Sequence, residues 1–325
     1  MGYTHFNKLS GVNGLAVGAK GAERDIVDSL GRMYMNFAPG NVFYVDSGLS
    51  GAADTNTGLT WATALATIDG AIGKCTANNG DVIFVAPGHT ETVSAAAGIV
   101  FDVAGVTVIG LGAGTLRPKI SYTTAATADV DVTAANVTIK NIVFEAGYAD
   151  VAVAIDLDAT DFTLEGCEFK DSAADKNFVV YIDCDDTDNA CDRLTVRDCV
   201  AISPDTANDH FIAAVGDIDR LTVENCFISL GVNDGEAVIE ASTGKDFTNC
   251  LIRHNAIYRL NTANVIAMES DTTANSGMIY DNYVGTADSD AATPFDVTGA
   301  RLFQNYQVGV VDASGLLLPA VDDNA

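Results

Sequence analysis

Two strings of closely set aspartates are the most reactive stretches of this chain. Asp156, Asp158 and Asp161 form one, and Asp183, Asp185, Asp186 and Asp188 the other. Two carboxylates flanking a sugar bond can act as acid and base, or acid and nucleophile, in glycoside hydrolysis. A denser set could hold Ca²⁺, which takes about six to eight oxygen ligands. Asp183, Asp185, Asp186 and Asp188 are the candidate metal set, with Ca²⁺ the one cofactor they would take. Neither the EF-hand spacing nor a repeated GGxGxD pattern occurs, so the competing reading is a solvated acidic loop.

The remaining reactive side chains are sparse. His210 reads as a loop residue and His254 as a turn residue. Arg197 and Arg253 lie among strand-forming residues. The seven cysteines are odd in number and contain no C-x-x-C. Cys184 and Cys191 could pair across DCDDTDNAC, but the count points to free, buried thiols.

These residues sit in a chain that repeats itself. A short β-rich run, then Asn, Asp or Gly, then a second β-rich run, recurs at Gly105–Gly112, Asn136–Phe144, Asp161–Phe169, Arg193–Ile202, Arg220–Ile228, Leu251–Tyr258 and Gly277–Val284, with a weaker copy at Arg301–Val308. Taking the bends at Gly110, Asn141, Gly166, Asp198, Asn225, Asn255, Asn282 and Asn305, the gaps are 31, 25, 32, 27, 30, 27 and 23 residues. A period of this size is the mark of a solenoid. Within a copy, Val137 and Ile139 alternate with Thr138 and Lys140, which is strand periodicity. Leu194, Val196, Leu221 and Val223 are the expected inward side chains. Cys167, Cys199 and Cys226 each follow a bend by one residue, so stacked coils would place them in one buried column.

Around the coils, the pattern changes. Residues 41–87 form an N-terminal module: a strand at Asn41–Asp46, a helix over Trp61–Lys74 from the spacing of Trp61, Leu65, Ile68 and Ile72, and a strand at Val82–Ala86. Such a helix would cover the open end of the first coil, as repeat proteins require. Residues 1–40 are glycine-rich and weakly periodic, an arm rather than core. Residues 309–325 form a tail carrying Leu316–Pro319.

Forty-four acidic residues face 17 basic ones, for a formal net charge of −27. That balance argues against nucleic-acid and anionic-membrane partners. The arm departs from it: Lys8, Lys20, Arg24 and Arg32 against Glu23, Asp25 and Asp28 leave it at +1 (4 − 3). No apolar run is long enough to span a membrane, and the first residues lack the features of a secretory signal.

The stretch from Tyr44 to Pro87, with YVDSG, TGLTWATALATIDGAI and GDVIFVAPG, resembles the first module of pectate-lyase-like right-handed parallel β-helix proteins, and the copies from Asn136 to Ile228 look like their coils. The resemblance implies an all-β right-handed parallel β-helix over 41–308. That superfamily includes lyases, hydrolases, adhesins and viral spikes. The Gly-His-Gly element of its pectin hydrolases is missing, and Gly88-His89-Thr90 falls in the first coil. No catalytic residue is assigned, and the expectation is a protein that is not an enzyme. Separately, MGYTHFNKLSGVNGLAVGAKGAE resembles the leading segment of tailed-bacteriophage structural proteins, especially head-decoration proteins. This second resemblance implies a virion protein on the capsid exterior, made in the host cytoplasm. Its partners would be the major capsid protein and two further copies of itself in a homotrimer. Tyr3, Phe6, Lys8 and Leu9 would be the capsid-binding residues. The alternative is a tailspike-type protein that binds or cleaves glycans.

Overall fold

The computed structural model describes residues 40–232, 236–260, 267–270, 272–286, 294–308 and 315–317. The arm with Tyr3, Phe6, Lys8 and Leu9, and most of the tail, lie outside them.

The described residues form a right-handed parallel β-helix of about eight turns. Each full coil contributes one short strand to each of three sheets. Sheet 1 has ten strands, from Val42–Val45 to Arg301–Phe303. Sheet 2 also has ten, from Thr90–Val93 to Asn305–Val308, closed by Gly315–Leu317, which pairs antiparallel. Sheet 3 has eight, from Ile99–Phe101 to Phe295–Val297.

The expected alternation holds. Leu194, Val196, Leu221 and Val223 are each 0% exposed. In-register pairing turns single positions into columns: Val108, Ile139, Leu164, Val196, Val223, Ile252 and Ile279 stack inside sheet 1. Each fully buried aliphatic side chain contributes about 1.5–3 kcal/mol.

Every coil from Asn141 onward turns a corner between sheets 1 and 2 on one residue with left-handed backbone: Asn141, Gly166, Asp198, Asn225, His254, Asp281 and Gln304, with φ between 53° and 62°. Four of these are the expected bends. The bends expected at Asn255, Asn282 and Asn305 fall one residue earlier. The asparagines instead continue the inner corner column Ile142, Cys167, Cys199, Cys226, Asn255, Asn282, Asn305. There, Cys226 N–H donates to Asn255 Oδ1 (2.9 Å), Asn255 N–H to Asn282 Oδ1 (3.0 Å) and Asn282 N–H to Asn305 Oδ1 (3.1 Å). Their Nδ2 groups donate to Val223, Ile252 and Ile279 carbonyls. A buried amide with both ends paired satisfies backbone groups that the corner leaves open. Gly110 is not a bend either. It ends its strand where a Cβ would run into the Asn141 carbonyl, and the left-handed residue is Gly112.

The N-terminal helix is shorter than its periodicity suggested. Trp61–Thr63 is one 3₁₀ turn, and the α-helix covers only Ile68–Ile72. Between them, Leu65 bridges to Val45 as a strand residue. Asp54 accepts the N–H groups of Ala66 and Thr67 and the Thr67 hydroxyl, fixing Thr67 as the helix cap. The short helix still closes the coil end, burying Ile68, Ala71 and Ile72.

Candidate functional site

The outer face of sheet 3 carries a single-signed column. Asp131, Asp156 and Asp183 are register partners on successive strands. The next position is Ala213, followed by Glu240, Glu269 and Asp296. Parallel strands lie about 4.8 Å apart, so these side chains stand one above another at roughly that spacing. Like charges directly opposite on a sheet are destabilising.

The electrostatic consequence is concentrated at the top. Burial, then a hydrogen bond with the Asp129 carboxyl, then the charges of Asp129 and Asp156, push Asp131 up to about 7. Burial and the Asp156 charge push Asp183 up to about 6, partly offset by His210. Asp156 is raised by burial and by Asp129, Asp185 and Asp158, and Asp158 by burial and by Asp185 and Asp186. A patch of carboxyls able to hold protons near neutrality could serve as an acid or draw a cation.

The expected calcium set does not stay together. Asp183 joins the column, and Asp185 lies beside Asp156 and Asp158 while accepting Thr187 N–H within its own turn. Asp186 is exposed beside Asp158. Asp188 turns away to Lys245 (2.5 Å) and the Asp217 N–H, and Lys245 holds its carboxyl below the usual range. Of the other string, Asp156 and Asp158 face the column, whereas Asp161 forms a two-pronged pair with Arg193.

His210 is not a loop residue. It opens the sheet 3 strand His210–Ala214, beside the gap that Ala213 leaves in the column. Its Nδ1 lies 2.8 Å from the Ala237 carbonyl, and its Nε2 lies 3.5 Å from Glu236 Oε2. Glu240 Oε2 accepts Ala237 N–H at 2.8 Å.

Sheet 1 presents the opposite arrangement. Its outer column reads Lys140, Glu165, Arg197, Glu224, Arg253, Tyr280. Glu165 binds Lys140 (2.7 Å) and Arg197 (2.6 Å), and Arg253 binds Glu224 and the Tyr280 hydroxyl. Arg197 and Arg253 are thus ties between coils. On sheet 2, a groove of about 590 Å³ is lined by Arg117, Lys119, Glu168 and Lys170. Its cations are also paired: Arg117 with Glu168 (2.8 Å), Lys119 and Lys170 with Glu145 (2.6 and 3.3 Å).

The other described histidines, His89 and His254, and the cysteines are structural. His89 is 1% exposed, its Nδ1 accepting Ser47 N–H and its Nε2 facing Glu91. His254 is a turn residue, as expected. All seven cysteines are free, Cys184 and Cys191 included. The Cys226 thiol is raised by its hydrogen bond with Cys199 and then by burial, which leaves it unreactive.

The reading from sequence found Asp156 and Asp183 but missed Asp129, Asp131, Glu240, Glu269 and Asp296. A second repeat marks most of them, an acid between two apolar or small residues: Val130-Asp131-Val132, Ile155-Asp156-Leu157, Ile182-Asp183-Cys184, Ile239-Glu240-Ala241, Met268-Glu269-Ser270 and Phe295-Asp296-Val297.

No protein-family model and no curated protein matches this sequence. Among solved structures, a pectin methylesterase from Aspergillus niger, in deglycosylated form, is similar at 16% identity and a TM-score of 0.46, covering 88% of this chain and 93% of that one. A GH136 lacto-N-biosidase from Eubacterium ramulus is similar at 8% identity and a TM-score of 0.33, covering 89% and 71%. The coil-by-coil strand pairing, rather than either likeness, establishes the fold here.

Proposed function

We propose that this chain is a structural virion protein of a tailed bacteriophage: a capsid decoration protein whose β-helix is a rigid acidic rod, anchored by residues 1–40. One observation carries this reading. Among the described residues, the basic side chains on the outer faces of sheets 1 and 2, apart from the exposed Arg301 on the last strand of sheet 1, are tied to carboxylates or to tyrosine one or two coils away. Cations spent in this way brace the rod and are not free to draw an acidic substrate into the groove. The near-neutral arm, with Tyr3, Phe6, Lys8 and Leu9, supplies the contacts to the major capsid protein, and the protein sits on the capsid exterior as a homotrimer. Removing residues 1–40 should leave the circular dichroism of the body unchanged and abolish binding to particles lacking the protein. Full occupancy by the truncated protein would move the anchor elsewhere.

The acidic column favours a second reading, a tailspike-type body that cleaves glycans. Neighbouring carboxyls at about 4.8 Å approach the ~5–5.5 Å separation of retaining glycosidases. Asp131, at about 7, would keep a proton to donate at neutral pH. Release of reducing ends from host envelope polysaccharide, lost in Asp131→Asn, would establish it. An unchanged rate in that variant would remove Asp131 from the chemistry.

A further inference from the structure

We propose that His210, Glu236 and Glu240 form a binding site for a divalent transition-metal ion of the zinc class, clipping two adjacent coils and leaving one coordination position open to solvent. The three residues each offer one ligand atom, and these atoms lie within 4.8 Å of one another. His210 comes from one coil. Glu240 comes from the paired strand of the next coil, and Glu236 from just before it.

The tautomer of His210 is the informative feature. Nδ1 lies 2.8 Å from a carbonyl oxygen, which can only accept, so Nδ1 carries a hydrogen. In the neutral ring, Nε2 then presents a lone pair, and 3.5 Å away it meets a carboxylate oxygen, Glu236 Oε2. Two acceptors facing each other repel unless a proton or a metal ion stands between them. Zinc bonds of about 2.0–2.1 Å arranged as a tetrahedron place neighbouring ligands roughly 3.4 Å apart, which matches that gap.

The ligands are also held in place. Ala237, 0% exposed, uses its carbonyl to orient His210 and its N–H to hold Glu240 Oε2, which lies 3.6 Å from His210 Nδ1, so the Glu240 oxygen that would meet an ion at Nε2 is Oε1. A metal-binding histidine commonly donates its other ring N–H to a carbonyl in this way. One imidazole with two carboxylates suits zinc or its first-row neighbours, whereas calcium would require a fuller oxygen cage. The side chains are 14%, 39% and 24% exposed, so an ion can enter. The surrounding acidic column supplies a negative field that concentrates cations there. The same geometry without metal would be a protonated His210 between two glutamates, and binding measurements separate the two.

The test uses the full chain without a histidine tag, stripped with chelator, then titrated with Zn²⁺ by calorimetry and with Co²⁺ by absorption. One equivalent should bind, with affinity reduced at least about tenfold in both His210→Ala and Glu236→Gln. Bound Co²⁺ should show d–d bands without sulfur charge transfer, and zinc should raise the melting temperature of the unaltered protein only. Glu236→Gln sits at the most exposed of the three positions and keeps the test valid should His210→Ala misfold. No saturable binding at 100-micromolar metal (about that level), unchanged affinity in Glu236→Gln, or calcium competing equally with zinc would each overturn the proposal.

Discussion

The outer columns of sheets 1 and 3 share a backbone and differ in sign pattern. Both stack outward side chains at about 4.8 Å on in-register parallel strands. In sheet 1, Lys140, Glu165 and Arg197 alternate in charge, and the hydrogen bond from Lys140 leads in holding Glu165 below its ordinary range. In sheet 3, Asp131, Asp156 and Asp183 share one sign, and the protein answers by holding protons instead. A β-helix therefore distributes charge without judging it. The same register that makes one face a brace makes the other a store of repulsion, and stored repulsion is where a proton or cation has something to do.

The largest effect is expected from removing the register that both faces share. Leu221→Asp buries a carboxylate at a position of 0% exposure, and should cost more than about 4 kcal/mol. Loss of the cooperative melting transition is expected, and an unchanged melting temperature would refute the stacked-core account. Next is the corner. Asn282→Ala removes an amide that accepts from Asn255 and donates to Ile252, orphaning buried groups at a cost of about 2–3 kcal/mol, read as a lowered denaturation midpoint.

Smaller changes sharpen the contrast. Arg197→Glu would set a third carboxylate between Glu165 and Glu224, giving sheet 1 the character of sheet 3. A loss of about 1 kcal/mol at pH 7, shrinking as the pH approaches 4, is expected from thermal melts. The reverse exchange, Asp156→Lys, gives sheet 3 the alternation of sheet 1. It should raise the melting temperature at pH 8 by about 2 °C and do little at pH 4.

The sign of each pH effect follows from linkage. Asp131 lies above its ordinary value of 3.8, so the folded state binds its proton more tightly. Its contribution to stability falls as pH rises from about 4 to about 7. Glu165 and Asp161 lie below their ordinary values, so their contributions are present above 4.5 and 3.8 and are lost as pH falls through the folded values. Carboxyl carbon shifts in NMR should show Asp131 titrating at about 7 and Glu165 below 4.5.

The solenoid was legible in the residue pattern. Alternation at Val137–Lys140 and at Leu221–Glu224, with a bend residue between runs, allows only strands that turn and resume, and repetition forces them to stack. The cysteine column was legible for the same reason, since its members sit at a fixed offset from each bend. The corner asparagines were legible as corner residues but not as inner ones, because a left-handed His254, Asp281 or Gln304 carries no strong local signal. Which distant residues become neighbours was not legible, because it depends on how the coils stack. Asp131, Asp156 and Asp183 are 25 and 27 residues apart, and His210 is 26 and 30 from Glu236 and Glu240. Coil lengths vary, and the loops absorb that variation at places the strand pattern does not mark. Periodicity therefore fixes which face a side chain takes within its own strand. The register between coils, set by hydrogen bonding and core packing over the whole stack, fixes what stands beside it.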